Sequence, residues 1–148
     1  MEIKTKYNVG DKVWTMAFEE IFSTDIKEIN ISVGIEKYSQ EEEIQLRYRV
    51  NCRIDVREDQ IFSTKEELLE AVVDNGDNII YVAPDCLGGF KEGDVVWKAS
   101  FNVIHKGKIK VATEEDLAKR KHRYTGEIWG DEECLYRSLE ELIEARTV

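Results

Sequence analysis

The chain has 148 residues, of which 42% are hydrophobic and 35% charged, and its 31 acidic against 21 basic side chains give a formal net charge of −10 at pH 7. This is the composition of a folded globular protein, and its acidity disfavours nucleic acid as a partner without excluding a local basic patch. The single proline, the three widely spaced cysteines and the lack of any Gly/Ser-rich tract or of an apolar run near roughly 20 residues argue against a flexible linker, a disulfide framework and a membrane span.

The N-terminal MEIKTKYNVG has no signal-peptide core, so the cytoplasm is the expected compartment. Gly10-Asp11 reads as a turn, with a strand leaving it over 13–18. Phe22-Ser23-Thr24-Asp25 carries turn residues. Ile29, Ile31, Val33 and Ile35 alternate as one face of a half-buried strand, and 36–43 reads as a polar loop. From Ile44 onward Leu46, Tyr48, Val50, Cys52, Ile54 and Val56 keep strict period two. Such a run would span roughly 43 Å if straight, so it is expected to bend sharply or to be two strands around a tight corner, as in small barrels. Thr64 and Glu67 form a capping box before the stripe Leu68, Leu69, Val72, with Phe62 placed as a hydrophobic staple.

In the second half, 79–82 reads as a short strand and 85–89 as a loop. A strand over 95–104 follows Gly93-Asp94, with Trp97, Ala99, Phe101 and Val103 in register, a hairpin turn at Lys106-Gly107 and a return over 109–112. Thr113-Glu114-Glu115-Asp116 opens a short helix that ends in basic residues, each sign at the end the helix dipole favours. A short strand over 127–129 precedes a final helix capped by Ser138 and Glu141.

These elements come in two copies. Tyr7-Asn8-Val9-Gly10-Asp11-Lys12-Val13-Trp14 returns as Phe90-Lys91-Glu92-Gly93-Asp94-Val95-Val96-Trp97, an offset of 93 − 10 = 83. EDQIFSTKEELLEA over 58–71 returns as EECLYRSLEELIEA over 132–145, an offset of 141 − 67 = 74, so the middle of the second copy is 83 − 74 = 9 residues shorter. Two related units are expected, 1–73 and 74–148, the second with an extra short helix.

The aromatic-x-x-Gly-Asp-x-Val-Trp element resembles the opening strand of SH3-like small barrels of the Tudor and KOW kind. The Y-x-x-G-D-x-V-W opening and the F-x-T-K-E-E-L-L closing, Phe62 to Leu69, also resemble short proteins of bacteriophages and of mobile elements in gut bacteria. The second copy departs from the closing pattern, with Ser138-Leu139-Glu140-Glu141-Leu142 in its place. The resemblance implies an α+β, mostly β fold of two SH3-like small barrels, each closed by a short C-terminal helix.

Candidate binding residues fall in three groups. Arg47, Arg49 and Arg53 share the polar face of the long alternating run, with Arg57 just beyond. They are suited to clamping phosphates or a carboxylate-rich partner, or to pairing with Glu19, Glu20, Glu28 or Glu36 across a sheet. Lys119, Arg120, Lys121, His122 and Arg123 form either a nucleic-acid patch or a dipole-favoured helix end. Glu41, Glu42 and Glu43, Glu114 to Asp116, and Asp131, Glu132 and Glu133 either mimic nucleic-acid phosphates or are a solvated surface.

Trp14, Phe18, Trp97 and Phe101 are expected in the core, and Tyr38, in the polar loop, is the aromatic expected at the surface. Tyr48, Tyr124 and Trp129 are further aromatics with which a cage or stacking platform could be built. His105, His122, Cys86 and Cys134 lack metal-ligand spacing, Gly88-Gly89 lacks the P-loop lysine, and the paired acids Glu66-Glu67 and Glu140-Glu141 sit in capping boxes. No catalytic residue, metal or cofactor is expected. The expected function is a non-enzymatic interaction protein of phage or mobile-element origin with a protein partner and no membrane. The alternatives are a phage-encoded inhibitor of a bacterial defence system, by acidic mimicry or ligand capture, and a nucleic-acid-binding accessory protein.

Overall fold

The computed structural model describes residues 4–35, 42–51, 54–122 and 126–148, with backbone alone for 34, 35, 42, 43, 121 and 122. Tyr38, Glu41, Cys52, Arg53, Arg123 and Tyr124 lie outside the described residues, as do the side chains of Glu42, Glu43 and Lys121. The strands are β1 (Lys12–Ala17), β2 (Glu20–Asp25), β3 (Glu28–Ile35), β4 (Glu42–Asn51), β5 (Ile54–Arg57), β6 (Val73–Val82), β7 (Val95–Ser100), β8 (Val103–Val111), β9 (Ile128–Gly130) and β10 (Leu135–Tyr136). The helices are α1 (Lys65–Val72), α2 (Glu114–His122) and α3 (Leu139–Arg146), so the protein is mostly β with short helices. No helix of the described residues is long and apolar enough to cross a membrane. The chain divides into two compact units, one of Met1–Met16, Ile21–Ala71 and Val148, the other of Ala17–Glu20 and Val72–Thr147.

In the first unit β1 pairs with β2, and β3, β4 and β5 form an antiparallel sheet in that order. The long alternating run is therefore two strands, β4 folding back on β5 with Tyr48 opposite Val56. Its apolar face supplies Tyr48, Val50 and Val56 to a core completed by Tyr7, Val13, Ile26 and Ile61. Tyr7 meets Tyr48 edge-on at 5.8 Å between ring centroids. The Tyr7 hydroxyl donates to the Ile61 carbonyl at 3.2 Å and the Tyr48 hydroxyl to Glu58 Oε2 at 3.1 Å, so both phenols are satisfied.

The second unit is a five-stranded mixed sheet in the order β10-β7-β8-β6-β9. β7 runs antiparallel to β8 and β10, whereas β6 runs parallel to both β8 and β9. Ile80, Val82, Val96, Ile109 and Leu135 form its core.

The repeat is present atom by atom. Asp11 N–H donates to the Asn8 carbonyl at 3.0 Å and Asp94 N–H to the Lys91 carbonyl at 3.1 Å, closing matching turns. Gly10 and Gly93 occupy the third position of those turns at φ 92° and 90°, where a type II turn calls for glycine. In each turn the aspartate side chain accepts the N–H three residues back, Asn8 at 2.8 Å and Lys91 at 2.9 Å. The turn is then clamped to a buried isoleucine by two backbone bonds, Gly10 to Ile26 (2.8 Å) and Ile26 to Asp11 (2.9 Å), matched by Gly93 to Ile109 (2.8 Å) and Ile109 to Asp94 (3.0 Å); Ile26 lies between β2 and β3, and Ile109 in β8. Trp14 bridges Phe62 antiparallel, and Trp97 pairs with Tyr136. Thr64 and Ser138 accept the N–H groups of Glu67 and Glu141, each at 3.2 Å, with Leu68 and Leu142 buried beyond them.

Four local expectations are overturned. Phe22 to Asp25 stays in β2, because the chain reverses earlier, at Phe18-Glu19, both with positive φ (51° and 66°). Lys106-Gly107 lies inside β8, and the reversal falls at Phe101-Asn102 with Phe101 at φ 45°. Gly107 answers a close approach instead of a turn, since a Cβ there would sit 2.9 Å from the Asn78 carbonyl oxygen. Phe18 and Phe101, expected in the core, are 74% and 72% exposed, because each tips a two-residue hairpin where the sheet registers end. Finally, the strand expected over 79–82 begins at Val73, directly after α1.

An added Cβ at Gly10 or Gly93 would meet nothing within 4 Å, so substitution there tests backbone conformation alone. Gly10→Ala and Gly93→Ala should each lower the unfolding free energy by about 1–2 kcal/mol in chemical denaturation. A variant as stable as the parent would show that the turn does not depend on a left-handed residue.

Candidate functional site

The second unit places its polar side chains in a row across three strands. Lys98 of β7 lies opposite His105 of β8, and His105 lies beside Asp74 of β6. The row exists because β6 pairs with β8 in parallel and because its register shifts between Asp74 and Asn78. That excursion lets Asp74 fold its own loop around itself. Asp74 Oδ1 accepts the Gly76 N–H at 2.9 Å, and Oδ2 accepts the Asn78 amide at 3.1 Å. His105 Nδ1 sits 3.3 Å from Oδ2. A carboxylate only accepts, so Nδ1 carries the proton and Nε2 is the imidazole's remaining polar atom. The Gly76 N–H first, then the Asn78 amide and His105, hold the Asp74 carboxyl below its usual range.

Lys98, Ser100 and His105 line a cavity of about 730 Å³ together with Arg120, Glu127 and Trp129. Lys98 Nζ donates to Ser100 Oγ at 3.1 Å and to the Ala99 carbonyl at 3.4 Å. The Arg120 guanidinium lies over the Trp129 ring, 4.6 Å from its centroid. Trp129 is in turn stacked on Tyr81 at 5.3 Å with the ring planes 30° apart. Among the described residues neither Lys98 nor Arg120 has a carboxylate partner within ion-pair distance.

In the arginine stripe Arg49 and Arg57 are paired. Arg49 sits 3.2 Å from both Glu28 and Asp55, and Arg57 is 3.2 Å from Asp59. The hydrogen bond that Arg49 donates to Asp55, then the charges of Asp55 and Glu28, raise the Arg49 pKa further. Arg47 lies opposite Arg57 and Asn30. In the basic cluster, Lys119 reaches Glu115 at 3.7 Å one helical turn away, and Arg120 lines the cavity. Asp131, Glu132 and Glu133 are exposed. Burial raises the Cys86 and Cys134 thiols, which keeps them protonated and poor as nucleophiles.

Sequence reasoning missed Asp74, Lys98 and Ser100. One signal for them was present: Val96, Lys98 and Ser100 share a face by period two, with His105 the polar residue on the following strand.

Asp74→Asn should destabilise the second unit, and the loss should depend on pH. The folded-state pKa of Asp74 lies below the unfolded one, so its contribution is complete above about pH 4 and fades as the pH falls through the lowered value. In thermal melts the gap between parent and Asp74→Asn should shrink on acidification, and a gap that widened would assign the stabilisation to another group. No family model, curated protein or solved structure matches the chain.

Proposed function

We propose that the chain is a non-enzymatic interaction protein, of bacteriophage or mobile-element origin and built of two related SH3-like units, that recognises a protein partner through its surface. The observation that carries this reading is the pair of exposed phenylalanines on adjoining hairpin tips. Phe18 and Phe101 are 74% and 72% exposed, and the Glu19 N–H donates to the Phe101 carbonyl at 2.8 Å, tying the tips together. Two-residue hairpin loops favour Asn-Gly or Gly-X, because a side chain at positive φ costs roughly 1–2 kcal/mol. A large apolar residue kept there, with its ring in water, makes physical sense when another molecule covers the ring.

Charge supports a protein as that molecule. The chain carries −10, and Arg49, Arg57 and Lys119 are already engaged by its own carboxylates. The SH3-like assignment is supported by the clamped Gly-Asp turns and by the bridge of each first strand to the residue two before a helix cap. The alternative of an acidic mimic that inhibits a bacterial defence system draws on the exposed Asp131, Glu132 and Glu133.

Glycine at both tips separates a binding role from a folding role. The F18G/F101G double variant should be as stable as the parent, or more stable by about 1 kcal/mol, because it relieves two positive-φ side chains. The same variant should lose a protein that the tagged parent retains from nuclease-treated bacterial lysate, while Arg47→Gln keeps it. Marked destabilisation would place the rings in the fold, and retention unaffected by the double substitution would overturn the reading. Retention that disappears with nuclease would move the partner to nucleic acid.

A further inference from the structure

The chain has an excess of acids, 31 against 21 bases, yet two of its cations meet at one cavity without a carboxylate partner among the described residues. Each is held in place by neutral groups. Lys98 is fixed by the Ser100 hydroxyl and a backbone carbonyl, at 3.1 and 3.4 Å. Arg120 is fixed by the Trp129 face at 4.6 Å, which leaves the edge of its guanidinium, and hence its N–H donors, unobstructed by that contact. The Ser100 hydroxyl accepts from Lys98, so its own hydrogen is available to a ligand. His105 lines the same wall, and Glu127 is the acidic side chain among the lining residues.

The geometry points to a site for a phosphorylated small molecule, its phosphate taken by Lys98, Ser100 and Arg120 and its organic body laid along Phe101 and Ile128. Three donors from two elements suit a group with three acceptor oxygens better than a carboxylate with two, and the arginine fork matches phosphate bidentately. The volume of about 730 Å³ exceeds what a bare ion needs and falls within the range of small-molecule sites.

The test is calorimetric titration of the full chain with adenosine monophosphate, ribose 5-phosphate, inorganic phosphate and adenosine, with Trp129 indole shifts by NMR as the site readout. At least one of the two phosphate esters should bind and shift Trp129, and adenosine should not. Lys98→Met and Arg120→Gln should each weaken binding by about tenfold or more, the loss of a charge-assisted hydrogen bond. Lys98→Arg should restore most of it, and Arg47→Gln and Phe18→Gly, at residues that do not line the cavity, should leave it unchanged. Melting curves establish that each variant is folded. The proposal is overturned by no binding of either ester up to about 10 mM, by equal binding of adenosine, by binding indifferent to both substitutions, or by inorganic phosphate binding as tightly as the esters.

Discussion

The paired hydrogen bonds between Gly10-Asp11 and Ile26, repeated between Gly93-Asp94 and Ile109, set the frame on which everything else is hung. A turn that donates from its glycine and accepts at its aspartate carbonyl can dock on its isoleucine in one register. That register decides which residues of β1 and β7 face inward, because a slip of one residue exchanges the two faces of a strand. Val13 and Val96, each fully buried, occupy equivalent inward positions. The distance from clamp to hairpin tip is then fixed as well: 18 − 10 = 8 and 101 − 93 = 8 residues. The phenylalanines stand at the tips because the clamps count them there.

Beyond this frame the copies part, and the chemistry lies where they part. Subtracting the offset of 83 takes Lys98, Ser100 and His105 to Thr15, Ala17 and Phe22. Thr15 is fully buried and its hydroxyl donates to the Gln60 carbonyl at 2.7 Å, a structural role with no charge in it. In the first unit the strands after the hairpin continue as an antiparallel sheet. In the second, β8 runs on and receives β6 in parallel, and a shorter middle carries α2 with Arg120. The Gly-Asp turns and helix caps that repeat hold the fold, whereas Lys98, Ser100 and His105 of the cavity stand at positions that do not repeat.

This division explains what could be read from the sequence. The Gly-Asp turns, the Thr64 and Ser138 caps and the split of the long alternating run are local, and their residue types have one good conformation each. Phe18 and Phe101 misled because an apolar register says that a side chain belongs on a sheet face, and says nothing about where the strand stops. Gly107 misled because lysine-glycine signals a turn, while the tight constraint on it, the Asn78 carbonyl, comes from a strand 29 positions earlier (107 − 78 = 29). The place of Asp74 beside His105 and Lys98 was illegible for the same reason. Asp74-Asn75-Gly76-Asp77-Asn78 reads locally as a loop, and its place beside His105 follows from a parallel pairing that no short window encodes.

Unpaired cations at a cavity of an acidic protein pose a specific problem, since a nearby carboxylate, such as that of the lining Glu127, lowers the potential there. The surface cations show the ordinary outcome, with Arg49 between Glu28 and Asp55 and Lys119 beside Glu115. Such exposed pairs contribute little stability and neutralise both partners. At the cavity the anchoring is done by a hydroxyl, a carbonyl and an indole face, which position a cation without cancelling its charge. The acid nearest the row, Asp74, is handled in the complementary way. Its charge is met by the Gly76 N–H and the Asn78 amide as well as by His105, so its field is directed into its own loop. Neutral groups hold the cations and dipoles wrap the anion, so among the described residues Lys98 and Arg120 stand at the cavity without an ion pair, in a chain of net charge −10.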